Sequence, residues 1–290
     1  MNMQESYRAY LDRREALSAN PFGEFTLHPE KFYIHPFRVY GNVWYVGDSW
    51  VCVHLIDTGE GLLLIDSGNS HHTALLVQAI WEAGFSPAEV RWIVHSHGHI
   101  DHIGGANFFR RMFGSKLLLS AEDAKMFREH PEQSFIYDSH DDYSALFIPD
   151  QEISDGDVLT FGKVTIQFYV VPGHAPGCIA FFFDAEQDGI KKRCGYFGGF
   201  GFNTLTKAYL HEIGDNDLSM RAAFLSSLER FMDEPVDIFL GNHTENNHTI
   251  EKRQMQMENR IDQPFIDSQE WRKYLENRKE AFIDFCASGQ

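Results

Sequence analysis

Residues 97–102 place three histidines and one aspartate within six positions: His97, His99, Asp101 and His102. They follow an apolar run, Arg91 to His95, that reads as a strand. Residues two apart in an extended chain project to the same side, so His97 and His99 can face one ion together. Two neutral imidazoles on one side make the beginning of a zinc site. Asp101 and His102 come as the chain turns, where they can address a second ion nearby. Gly98, Gly104 and Gly105 are expected where the backbone bends tightly.

A zinc site requires three or four protein ligands, so others must come from elsewhere. His174 follows an apolar strand and lies between the turns Pro172-Gly173 and Pro176-Gly177. His243 follows Leu240-Gly241-Asn242, also just past a strand. Ligands at strand ends, held by a stiff sheet, suit a preorganised site. Among the 15 histidines, His71 and His72 read as helix-start residues. His95 is expected to point to the other side of its strand, for packing.

These segments resemble the metallo-β-lactamase superfamily over about Pro36 to His248. Within it, the chain is similar to the third subclass of zinc β-lactamases. Pro36 to Gly47 resembles that subclass's N-terminal strand, Leu64-Ile65-Asp66-Ser67-Gly68 its LIDxG turn, and Pro172 to Gly177 its PGHTPG loop. The resemblance implies an α/β fold, an αββα sandwich with metals at the sheet edge. It implies His97, His99 and His174 on one zinc and Asp101, His102 and His243 on a second, with Asp66 orienting a ligand or the motif loop. Two Zn2+ per chain are therefore expected, with Asp101 also catalytic.

The reaction expected of this set is hydrolysis of a cyclic amide or ester. Zinc lowers the pKa of a bound water to about 7, which provides hydroxide to attack a carbonyl. No G-x-S-x-G segment offers a protein nucleophile. Alternatives of the same fold are a mononuclear iron dioxygenase acting on sulfur compounds and a lactonase or thioesterase. Many relatives use an Asp after a strand to bridge two metals. The corresponding stretch here, Tyr196 to Asn203, holds no carboxylate or thiolate. Where the third subclass carries Ser to receive a β-lactam carboxylate, this chain has Phe200 and Phe202. They are expected to line an apolar wall that excludes anionic groups.

The elements that position these residues alternate in type. Strands are expected over Phe37–Val46, Val51–Ile56, Leu62–Ile65, Arg91–His95, Lys116–Leu119, Val164–Val171, Ile179–Phe183, Tyr196–Gly198 and Val236–Leu240. Helices are expected over His72–Ala83, Ala106–Met112, Leu218–Phe231 and Ser268–Phe285, and one capped by Ser120 with Asp123 three residues on. The organisation read from this is a helical and loop extension over 1–30, a catalytic domain over 31–250, and a helical tail over 251–290. In the tail, Trp271, Leu275 and Phe282 share one face, expected to dock on the core.

Composition bounds the partners. The 290 residues are 43% hydrophobic and 23% charged, with 25 Phe, as in a globular chain with an aromatic core. A net charge of −17 opposes binding to nucleic acid or anionic membrane surfaces, which leaves a small-molecule substrate. No apolar run in the first thirty residues suits a signal peptide, and the four scattered Cys fit reduced thiols. A cytoplasmic location is the expectation; the oligomeric state is open.

Overall fold

The computed structural model describes Arg8 and residues 23–139 and 141–290. The helix expected near the N-terminus therefore lies almost wholly outside the described residues. What is described of that region begins with the short helix Gly23–Leu27.

Two sheets face each other. The first has seven strands in sequence order: β1 (Phe37–Tyr40), β2 (Val43–Tyr45), β3 (His54–Asp57), β4 (Leu62–Ile65), β5 (Val90–Val94), β6 (Lys116–Ser120) and β7 (Gln151–Ile153). β1 to β4 are antiparallel neighbours; β4 to β7 run parallel. The switch follows from the connections, because helices Thr73–Glu82 and Ala106–Phe113 return the chain to the same sheet end. The second sheet has the order β12-β11-β10-β9-β8, with β8 (Val158–Phe161), β9 (Val164–Val170), β10 (Ile179–Gln187), β11 (Ile190–Phe197) and β12 (Ile238–Leu240).

Alternation within the strands builds three apolar layers. Between the sheets lie Tyr45, Ile65, Val94, Phe168, Phe181 and Tyr196, among others, all buried. Outside the first sheet, Leu64, Ile93 and Leu117 meet Ile80 and Phe109 of its helices. Outside the second, Phe182, Phe197 and Phe239 meet Phe224 from helix Ser219–Arg230 and Trp271, Leu275 and Phe282 from helix Glu270–Ala287. This is an αββα sandwich. The tail helix docks through the stripe read from its spacing, and Trp271 donates its indole N–H to the carbonyl of Phe231 at 2.7 Å.

Several expectations need correction. Phe37–Val46 is a hairpin of two strands, broken at Gly41-Asn42. Gly41 has φ +51°, and a Cβ there would stand 2.1 Å from the carbonyl oxygen of Glu186. Val51 makes only an isolated bridge, to His243, and the strand starts at His54. β10 and β11 are longer than expected because they form one continuous hairpin, Ile179 to Phe197. Helix Thr249–Met257 is an addition to the elements read from the sequence. Its residues, TIEKRQMQM, carry little apolar periodicity.

Candidate metal centre

The metal-motif loop leaves the C-terminal end of β5 and enters the short helix Ile100–Ile103, with His99 at its N-cap. His174 comes after β9 and His243 after β12, so three strand ends from both sheets converge on one edge. Gly104 serves close approach rather than a bend: a Cβ there would lie 2.1 Å from the amide nitrogen of Ser70.

The six histidine and aspartate residues gather into two groups of three. The donor atoms of His97, His99 and His174 lie within 4.8 Å of one another, as do those of Asp101, His102 and His243. In the first group, Nε2 of His97 stands 3.1 Å from Nδ1 of His99. In the second, Nε2 of His102 stands 3.4 Å from Nε2 of His243. Oδ2 of Asp101 is 3.4 Å from the former and 3.6 Å from the latter.

The surrounding bonds decide which nitrogens are free to accept a cation. His102 donates through Nδ1 to Oδ2 of Asp66 at 2.8 Å, which turns the lone pair of Nε2 toward Asp101. His174 donates through Nδ1 to the carbonyl of Gly201 at 3.0 Å. His97 donates through Nδ1 to the hydroxyl of Ser96 at 3.0 Å, and that hydroxyl donates in turn to Asp66 at 2.8 Å. One fully buried carboxylate thus orients an imidazole in each group. Asp66 also accepts from the Ser96 amide at 2.6 Å and the Tyr196 hydroxyl at 2.7 Å. Its backbone sits at φ +64°, a region Asp tolerates better than most residues. Burial works against its charge, yet His102 and the Ser96 amide hold its carboxyl below the usual range.

The electrostatics of the two groups differ. Burial and the neighbouring imidazoles push His97 and His99 well below the ordinary histidine range, and burial takes His174 to about 4. Those rings are neutral, as ligands must be. Burial lowers His102 too, but Asp101 and Asp66 outweigh it and raise it to about 9. A positive charge at its Nε2 is therefore favoured, whether a proton or a metal ion. Six converging donors, with the second nitrogens of His97, His102 and His174 engaged in hydrogen bonds, fit two cations of the zinc type.

His95 lies just past the end of β5 and belongs to neither donor group. It bonds Ser67 at 3.3 Å and the carbonyl of Leu118 at 3.1 Å, and its ring meets Phe147.

Sequence reasoning missed Asp123. As the third residue of a Ser120-capped helix it read as part of a cap, and Ser120 Oγ does accept from its amide at 3.2 Å. Its carboxylate goes elsewhere. It accepts from the amides of Gly98 and Gly177, both at 2.7 Å, and so ties the metal-motif loop to the loop of His174. Burial raises its carboxyl to about 7.

A cavity of about 340 Å³ opens onto both groups. Its walls include Trp50, Phe135, Asn203, Glu245, Asn246 and Arg278. Phe200 lines it, but Phe202 does not. The ring of Phe202 turns into the apolar layer beneath the tail helix, against Phe224, Phe282 and Phe285. Phe200 is itself only 3% exposed, its ring packed on Phe197 and Tyr274, so the two rings do not form the expected wall, and a guanidinium stands beside the segment.

Comparison with known proteins agrees with this fold. Residues 51–188 match the family model of the metallo-beta-lactamase superfamily. Those residues carry the metallo-beta-lactamase superfamily domain that this family model describes. A stretch of 126 residues is 28% identical to the hydroxyacylglutathione hydrolase of Anaeromyxobacter dehalogenans, spanning 43% of this chain but only 39% of that relative. Among solved structures, BJP-1, a subclass B3 metallo-beta-lactamase of Bradyrhizobium japonicum, superposes with a TM-score of 0.79 at 23% identity. That alignment covers 91% of this chain and 98% of BJP-1. The native FEZ-1 metallo-beta-lactamase from Legionella gormanii gives 0.76 at 22% identity, over 89% of this chain and 97% of FEZ-1. At these identities the structural likeness establishes the shared fold.

Proposed function

We propose that this protein is a metal-dependent hydrolase that holds two zinc ions and cleaves a cyclic amide or an ester of a small molecule. The observation that carries this is the pair of three-donor groups, His97-His99-His174 and Asp101-His102-His243, of which His99, His174, Asp101 and His243 line one cavity. Zinc, when bound, supplies a nucleophile at neutral pH and a Lewis acid for a carbonyl oxygen.

The chain's own groups do the rest. Asp66 and the Gly201 carbonyl fix the tautomers of His102 and His174. Asp101 is the one carboxylate among the six. It is partly exposed to the cavity, where it can accept a hydrogen bond from an entering water and orient it. Tyr196, in the stretch where other members bridge their metals by Asp, spends its hydroxyl on Asp66. The site therefore relies on three donors for each ion, the pattern of the third subclass. A thioester is the second reading, favoured by the match to a hydroxyacylglutathione hydrolase.

The zinc-loaded protein should turn over at least one member of a panel of lactams, lactones, esters and thioesters, and lose that activity on chelation. Iron as the tightly held metal, with no turnover of the panel, would replace this reading by the dioxygenase one.

A further inference from the structure

The helix Glu270–Ala287 buries Trp271, Leu275 and Phe282. Their spacing of four and seven leaves one position between Leu275 and Phe282 on the same stripe, and Arg278 occupies it. A charged residue within an apolar docking stripe is costly unless it has a partner or a task. Arg278 is half-buried, and its guanidinium lies over the Phe202 ring, 3.9 Å from the centroid. Its Nε donates to the carbonyl of Phe200 at 3.0 Å, and Nη2 donates to the same oxygen.

These contacts use one edge of the guanidinium and one face. The edge formed by Nη1 and the outer hydrogen of Nη2 is left over, and that edge matches a carboxylate in two parallel bonds. Arg278 lines the cavity that holds both donor groups. Glu245 lines it as well, and its charge reaches Arg278 through space. The stack on Phe202 and the bonds to Phe200 hold the guanidinium in place, so little rotamer entropy remains to be lost on binding.

We infer that Arg278 is the anion-binding group of this cavity, and that the substrate carries a carboxylate which docks on it while the scissile carbonyl faces the two donor groups. This rests on the hydrolase reading above, whose substrate class it narrows. It also explains the Phe200–Phe202 segment differently from a wall that repels anions. Phe200 supplies the carbonyl and Phe202 the ring on which the arginine is mounted.

The test uses two chromogenic esters of similar length, mono-4-nitrophenyl glutarate and 4-nitrophenyl pentanoate, with the zinc-loaded full chain. The measured quantity is the ratio of their kcat/KM values. The wild type should prefer the glutarate. In Arg278→Met the ratio should fall about 10–100-fold, as expected for a lost charged pair, mainly through KM for the glutarate. Arg278→Lys, which keeps the charge without the fork, should recover part of it. A wild type that favours the neutral ester, or a ratio that Arg278→Met leaves unchanged, overturns the inference. Thermal unfolding of both variants shows whether they fold, and the Lys variant carries the test if the Met variant does not.

If neither ester is cleaved, the hydrolase reading is decided separately by the wider panel above. Calorimetry of the metal-free protein with glutarate and with glutaramide then tests Arg278 alone. Glutarate binding at least about tenfold tighter to wild type than to Arg278→Met upholds the anion site. Equal binding overturns it.

Discussion

The two donor groups look equivalent in number but not in support. His97, His99 and His174 are neutral rings deep in the edge of the sandwich, each held neutral by burial. Asp101, His102 and His243 include a carboxylate open to the cavity and a histidine that Asp101 and Asp66 hold protonated up to about 9. The first group is preorganised and needs no proton to leave. The second must exchange a proton for its ion. A binuclear site can therefore be built from one strong and one conditional half, with chemistry assigned to the conditional half because that is where the open carboxylate lies.

The comparison breaks most visibly at Asp101. Asp101→Ala should lower turnover by more than the about 10–100-fold that outer partners of metal ligands cost. Yet the ion on the three-histidine group should stay. Near-normal turnover would show that the conditional half is dispensable.

Asp66 and Ser96 separate the halves more finely. Asp66 reaches His102 directly but His97 only through the Ser96 hydroxyl. Asp66→Asn should weaken zinc at the Asp101 group by about 10–100-fold, with a smaller effect on the other ion. Ser96→Ala should show the reverse order. Equal losses at both ions in both variants would mean that the two halves are one cooperative unit.

Proton competition gives a third contrast. With the proton on His102 released near pH 9, zinc affinity at the Asp101 group should fall about tenfold for each pH unit below that value. The three-histidine group, already neutral, should show little change between pH 9 and 6. Zinc titrations at pH 6, 7.5 and 9 measure both slopes.

The smallest effect is expected at Asp123, which joins the loops of the three-histidine group. Its carboxyl, at about 7, lies above the unfolded value of about 3.9, so the folded protein binds the extra proton between them. That contribution to stability is present at low pH and is lost as pH rises through 7. Asp123→Asn removes this slope in urea unfolding and loosens the first ion several-fold. An unchanged slope would remove Asp123 from the account.

Much of this centre was legible because its chemistry is local. Three His and an Asp in six residues after an apolar run need no tertiary knowledge, and His174 and His243 stood out by their place after strands. The alternation of strands and helices likewise prescribed layers. What escaped depends on where side chains point once layers pack. Asp123 sat in a helix-cap pattern that is genuinely present, while its carboxylate served two other loops. Phe202 shares a segment and an apolar layer with Phe200, and only the packed structure shows that its ring packs on Phe282 and Phe285 rather than lining the cavity. Arg278 went unread among the charges of the tail helix, and only the stack on Phe202 and the bond to Phe200 show what it faces.

The central claim is that the chain holds two zinc ions of unequal tenacity. Competition titration of the metal-free protein with zinc against a chromophoric chelator at pH 7.5 tests it most directly. The account predicts two equivalents for the wild type, the second weaker, and one equivalent, at the affinity of the first, for Asp101→Ala. A single equivalent in the wild type, or two unchanged equivalents in Asp101→Ala, would contradict it.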